Sequence, residues 1–222
     1  MTIGIWVGSP RHATVLAMTR RLLWCGHLVW IVMTGNALLG FVVPGFHPLA
    51  QTISEVARAA PVFAWTHRAL DVLVGLAMCA FAAGLQCAVH KRISLAALAT
   101  GALGAAFASA GVWTLDSRLH LLYNLSIIQI VVPIAQALEF KDDLRSTRYE
   151  TYSLLVSLFH LLMVWAIFAG FVPQACSGLV QRIWAIVMVS WFGVAAHMLT
   201  AAMRHQTLPA RDAMTSTRSP AA

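Results

Sequence analysis

Six apolar stretches, each about as long as a bilayer is thick, decide what this chain can fold into. They run approximately over Leu22–Val43, Val62–Val89, Ile93–Leu115, Leu119–Phe140, Tyr152–Val172 and Leu179–Met203. Roughly 20 apolar residues in a helix cross the hydrocarbon core. In lipid the backbone must satisfy its own hydrogen bonds, so each stretch reads as a helix. Only 10% of the 222 residues are charged and 59% are hydrophobic, where soluble domains carry roughly 25% charged residues. A soluble core cannot hide that much apolar surface. The expected fold is all-α: an integral membrane bundle of six transmembrane helices, with no room for a second domain.

The pattern divides the chain into three parts. Residues 1–21 form a short, basic, weakly structured start on the cytoplasmic side. Residues 22–203 form the bundle, and residues 204–222 form a Pro-, Ser- and Thr-containing tail expected to be disordered and cytoplasmic. The first span lacks a small-residue cleavage site and reads as a signal-anchor.

Charge supplies the topology. Eleven of the fifteen basic residues fall at one end of the predicted bundle, from Arg11, Arg20 and Arg21 through Lys91, Arg92, Lys141, Arg145 and Arg148 to Arg204, Arg211 and Arg218. The positive-inside rule then places both termini in the cytoplasm, N-in and C-in, for a protein of the cell (inner) membrane. The net charge of +7 fits anionic lipid headgroups on that side, so membrane lipids are the expected partners. Nucleic acid is excluded as a partner, because no basic patch interleaved with aromatics exists.

The other four basic residues, Arg58, Arg68, Arg118 and Arg182, fall at the outer end, and three have acidic or His neighbours in sequence. Arg58 follows Glu55, Arg68 sits between His67 and Asp71, and Arg118 sits between Asp116 and His120. They read either as an outer polar cluster or as side chains snorkelling to headgroups. The longest polar interruption of the first half, Pro44–Pro61, lies at this same end. Within it, Thr52 or Ser54 is placed to cap a short interfacial helix over Ile53–Ala59. The loop is expected to form a lid with Glu55 facing the bundle, near Arg182 or His120. Ser54 has no nucleophile elbow around it.

His67-x-x-x-Asp71 and Asp116-x-x-x-His120 mirror one another at the outer starts of spans two and four. On a helix, residues four apart share a face, so each stretch is able to hold a carboxylate beside an imidazole. Ionisable groups in a membrane segment are costly and mark functional sites by default. Three readings stay open. The pairs are structural, or they form an acid/base site with Glu55, or His67, Asp71, Asp116 and His120 bind a metal with His47. The last reading would make the protein a metal-dependent membrane hydrolase of ceramidase-like chemistry, although the usual His-x-x-x-His pair is missing. The acid/base reading makes Glu55, Asp116, His120, Asp71 and His67 the catalytic candidates, with Arg58, Arg182, Gln181, His47, Ser54 and Trp65 around the substrate. It needs no cofactor.

Other features have plainer explanations. The four cysteines form no Cys-x-x-Cys and read as small buried hydrophobes. Span three is rich in small residues, with Gly101, Ala105, Ser109 and Gly111 spaced for close helix packing, and is expected to be the central helix. Pro133 is expected to kink span four. Asn36, Asn124 and Gln129 read as interhelical glue, and the lone intramembrane His160 and His197 as hydrogen-bonded to neighbouring helices.

Two motifs together resemble a known family. They are His47-Pro-Leu-x-x-Thr-Ile-Ser-Glu55, with Trp65 opening span two, and Gly178-Leu-Val-Gln-Arg-Ile183, with Trp191 in the last span. This is similar to the six-span bacterial and archaeal membrane family of unknown function grouped with the Frag/DRAM-like proteins, over roughly Leu22–Met203. The resemblance implies the fold and topology, and its wider group implies a link to lipid remodelling and lipid asymmetry. The expected function is action on a lipid or isoprenoid substrate at the outer face by carboxylate/His chemistry, including acid-initiated polyprene cyclisation. The alternative is a non-catalytic lipid-binding, transport-associated or structural membrane protein.

Overall fold

The computed structural model describes residues 10–89 and 92–216; residues 1–9, 90–91 and 217–222, and with them Lys91 and Arg218, lie outside the described residues. The long helices are α1 (Pro10–Leu39), α2 (Pro61–Ala88), α3 (Leu95–Val112), α4 (Val131–Glu139), the short α5 (Lys141–Leu144), α6 (Thr147–Phe168) and α7 (Ser177–Ser216). Tight 3-10 segments lie between them at Ile53–Arg58, Arg118–Ile130 and Gln174–Cys176. Among the described residues six helical stretches are long and apolar enough to cross a membrane, the fourth being Arg118–Glu139. The protein is a multi-pass, all-helical membrane protein.

Three boundaries differ from the sequence pattern. α1 already begins at Pro10 rather than after a loose basic start. Pro is at home in the first turn of a helix, and the Ala, Met, Leu and Arg that follow are good helix formers. α7 continues past Arg204 to Ser216, where the pattern suggests a disordered tail; Ala, Met and Arg sustain helix there too. In the fourth span Arg118–Ile130 is 3-10 and becomes α-helical only at Val131. Such segments rarely exceed a few residues. Pro133, which has no N–H to offer the carbonyl four residues back, marks this change of helix type.

Close backbone approach organises the packing. A Cβ added at Gly75 of α2 would lie 2.5 Å from Gly104 O and Ala108 N of α3, and one at Gly104 would lie 2.7 Å from Gly75 O. One at Gly26 of α1 would lie 2.8 Å from Phe192 O of α7. Apolar surface gives no driving force between helices in lipid, so contact of this kind holds them. Of the small residues singled out in span three, Gly111 meets α2 at Arg68 O, whereas Gly101 has room to spare and Ala105 is exposed. The hydrophobic core runs through Leu23, Met33, Phe81, Leu103, Trp191 and Phe192. α6 lies at the edge and turns Leu154, Leu158, Leu161 and Leu162 outward.

Candidate functional site

The α1–α2, α3–α4 and α6–α7 connections meet at one end of the bundle, and the candidate residues collect there. The α1–α2 loop is held by the start of α7, backbone against backbone. Leu179 N donates to Leu49 O at 2.9 Å, and Ser177 Oγ donates to Ala50 O at 2.6 Å. Ile53 N donates to Gln181 Oε1 at 2.6 Å. Arg182, only 3% exposed, donates through Nη1 to Pro48 O (2.6 Å), Gln51 O (2.8 Å) and Gly178 O (2.9 Å). Its Nε donates to Ala37 O (3.0 Å), one of the carbonyls freed at the end of α1. The approach requires glycine: a Cβ at Gly178 would lie 2.6 Å from Pro48 O and closer still to Gln51 O. The two sequence motifs are thus the two halves of one clamp. Gln181 Oε1 and Arg182 Nη1 reach the loop backbone, Arg182 Nε ties it to the end of α1, and Nη2 is buried without a hydrogen-bond partner.

Inside the clamp the loop forms the expected short helix, as a 3-10 turn over Ile53–Arg58 with Thr52 at its N-cap. Glu55 does not reach Arg182 or His120. Its Oε2 accepts from Thr52 N (2.6 Å) and Thr52 Oγ1 (2.8 Å), because an acid at the third position of a helix folds back on the cap. Glu55 lines a shallow pocket with Gln51 and Arg58, on a different side of the turn from the histidines. His47 is exposed, its N–H donating to Gln51 Oε1 (2.6 Å).

The two mirrored pairs differ in the structure. His67 and Asp71 face each other on α2 as their spacing predicts, Nε2 to Oδ2 at 3.3 Å. They are buried, at 3% and 6% exposure. Asp116 and His120 do not pair. Ser117 caps the 3-10 segment by accepting from Leu119 N, so Asp116 is left in the preceding turn, off the helix. There Asp116 Oδ1 lies 3.7 Å from Arg58 Nη2 in an exposed ion pair, and His120 Nδ1 lies 3.0 Å from Trp113 O.

Asn36 of α1 completes the buried pair. Its Nδ2 donates to Asp71 Oδ1 at 2.7 Å, and its Oδ1 faces His67 Nδ1 at 2.8 Å. An amide oxygen only accepts, so His67 carries a proton on Nδ1. A further proton between His67 Nε2 and Asp71 Oδ2, as imidazolium and carboxylate or as imidazole and acid, would make this 3.3 Å contact an attractive one. With that proton the ring of three is neutral, and it joins α1 to α2 inside the bundle.

His67 stands between two spaces. Above it is a cleft of about 200 Å³ lined by Ser54, Arg58, Trp65, Arg68, Asp116 and His120, among others. Below it is a cavity of about 20 Å³ lined by Asp71, Gln129, Gln181 and Trp184, among others, room for about one water. Ser54, His67 and Ala110 border both spaces. Arg68 stacks on Trp65 at 4.9 Å and caps α3 by donating to Gly111 O (2.9 Å) and Val112 O (2.7 Å). The cleft therefore gathers six of the eleven candidates, Ser54, Arg58, Trp65, His67, Asp116 and His120, with Asp71 directly beneath. It adds Trp113, together with Arg68 and, beneath, Asn36, which the sequence marks only as an outer arginine and as interhelical glue. Among the described residues no three His, Cys, Asp or Glu side chains converge as a metal ion requires, so the geometry gives the proposed five-residue metal set no centre.

Fold and site together define a multi-pass helical membrane protein with a polar cleft at one end and a buried Asn–His–Asp ring beneath it. Residues 24–198 match the model of a family described as proteins of unknown function, DUF998, and the chain belongs to that family. No curated protein and no solved structure matches the chain.

Proposed function

We propose that the protein binds an anionic lipid or isoprenoid in the cleft and that His67 and Asp71 exchange a proton with it. The single observation that carries this reading is that His67 forms part of the cleft wall while its two ring nitrogens are held by Asp71 and Asn36. Arg58 and Arg68 supply positive charge for a headgroup, with Asp116 as the acid among them. Trp65 and Trp113, both exposed, suit the headgroup level of a membrane. The apolar tail would lie along the bundle surface. General acid or base catalysis needs a group within hydrogen-bond reach of the reacting atom, and His67 is the buried group bordering both spaces. If the substrate is a polyprene, Asp71 passes its proton to His67 Nε2 and His67 releases its Nδ1 proton to the substrate, a step in which Asn36 gives up its bond to Nδ1.

The charge pattern supports a cell-membrane protein with the cleft outward and both termini in the cytoplasm, its basic end against anionic lipid. A second reading, lipid binding without chemistry, draws on the clamp, since Glu55, Gln181 and Arg182 all hold the loop. Native mass spectrometry of the purified protein tests the proposal. The wild type is expected to retain an anionic lipid or isoprenyl phosphate that Arg58→Ala/Arg68→Gln loses. A wild type that retains none defeats it. Asp71→Asn that keeps the ligand but stops its conversion supports chemistry, and Asp71→Asn with an unchanged lipid profile favours binding alone.

A further inference from the structure

The buried face of α6 is polar, although α6 lies at the edge of the bundle. Tyr149, Ser153, Ser157 and His160 follow one another along one helix face, all buried, while leucines occupy the outward faces. Ser153 accepts from Trp191 Nε1 at 3.0 Å. The hydroxyls of Tyr149 and Ser157 and Nε2 of His160 close no hydrogen bond of good geometry with the protein, although Tyr149 lies near Ser153 and His160 near the Trp184 backbone. α4, packed against α6 and α3, buries Gln136 with neither amide atom paired. Buried polar groups are almost always hydrogen-bonded, so a cluster of them calls for a polar occupant.

The stripe has a direction. Tyr149 lies near the α5–α6 turn, at the end of the bundle opposite the cleft. His160 is 11 residues further on, roughly 16 Å along the axis at the rise of an α-helix. Its ring lies 6.1 Å from that of Trp184, whose Nε1 is likewise without a protein partner. Trp184 lines the small cavity that holds Asp71 and His67. The polar groups thus lead from the far end of the bundle to the Asn–His–Asp ring and the cleft.

We infer that this stripe is a hydrated path along which protons cross the bundle to His67 and Asp71. Water occupies the stripe and carries the proton. His160 Nδ1 donates to Val156 O at 2.6 Å, so Nε2, on the side of the ring near Trp184, is the nitrogen left to exchange with water. A hydronium gives its proton to Nε2, and the imidazolium releases a proton from Nε2 to the next water. No electron moves and no other bond changes. The path needs no turnover of a lipid substrate, so its test is independent of the function proposed above.

The full chain in phosphatidylcholine/phosphatidylglycerol vesicles, with a pH-sensitive dye inside and a potassium gradient plus valinomycin outside, reads the flux directly. Wild type is expected to acidify the interior at least about tenfold faster than protein-free vesicles, with most of that lost in His160→Phe and Ser157→Ala, in the range typical of a lost proton-transfer group. Ser109→Ala, whose hydroxyl bonds within its own helix, keeps the wild-type rate. Ser157→Ala removes only one oxygen, so it decides the matter if His160→Phe does not fold. Wild-type flux equal to that of empty vesicles, or variants as fast as wild type, would overturn the path.

Discussion

Gly178→Ala puts the loop clamp to its severest test. The added Cβ would lie 2.6 Å from Pro48 O and nearer still to Gln51 O, where ordinary contact begins near 3.4 Å. Both obstacles are backbone, so no side chain swings aside and the loop must retreat by roughly 1 Å to restore ordinary contact distances. The bonds that hold it now measure 2.6 and 2.8 Å from Arg182, 2.9 Å from Leu179 and 2.6 Å from Ser177. Lengthened by that much they pass out of useful range. A neutral bond contributes about 0.5–1.5 kcal/mol and one to a charged group about 1.5–3 kcal/mol. Losing one of each, with partial loss elsewhere, costs roughly 3–5 kcal/mol. At about 2–4 °C per kcal/mol for a chain of this size, Tm falls by about 6–20 °C. Tryptophan fluorescence during heating in detergent measures it, and limited proteolysis reports whether residues 44–60 come loose. Gly35→Ala serves as the control, since an added Cβ there meets nothing within 4 Å. Gly178→Ala with a Tm within about 2 °C of wild type and an unchanged digest would refute the clamp.

Other predictions are more direct. Arg182→Met leaves four carbonyls without their donor and is expected to lower stability by about 3–5 kcal/mol, read by the same melt. Arg58→Ala breaks an exposed ion pair and is expected to cost at most about 1 kcal/mol, so a large loss of lipid retention in that variant reports on the cleft and not on folding. Asn36→Leu leaves His67 Nδ1 and Asp71 Oδ1 buried without their partner; a loss of about 2–5 kcal/mol is expected, partly restored in Asn36→Gln. Gly104→Val drives side-chain atoms into the α2 backbone at Gly75, and a protein that no longer purifies as a single species is the expected result.

The spans were legible because lipid leaves a helix as the natural answer to a long apolar stretch. Their ends were less so, since nothing in the pattern at Pro10 or Arg204 separates a polar helix from a polar tail. The His67/Asp71 pair was readable because both residues lie within one continuous helix, where spacing of four means one face. Asp116 and His120 have the same spacing but straddle a helix start, and the cap at Ser117 settles their geometry. Arg182 looked like a headgroup ligand because charge near a span end usually meets water or phosphate. That it spends itself on carbonyls depends on loop and helix meeting across 134 positions of sequence. Asn36 carried a signal as an amide in a span, but its partners come from another helix. Its role follows only when α1 and α2 are seen packed.

The account centres on one proton held between His67 and Asp71 in reach of the cleft. Nitrogen-15 NMR of His67 in the membrane-embedded protein, with and without added phosphatidylglycerol, observes it directly. The predicted spectrum shows a protonated Nδ1 in both conditions and an Nε2 resonance that moves when the anionic lipid binds. An unprotonated Nδ1, or an Nε2 indifferent to the lipid while Arg58 and Arg68 respond, would contradict the account.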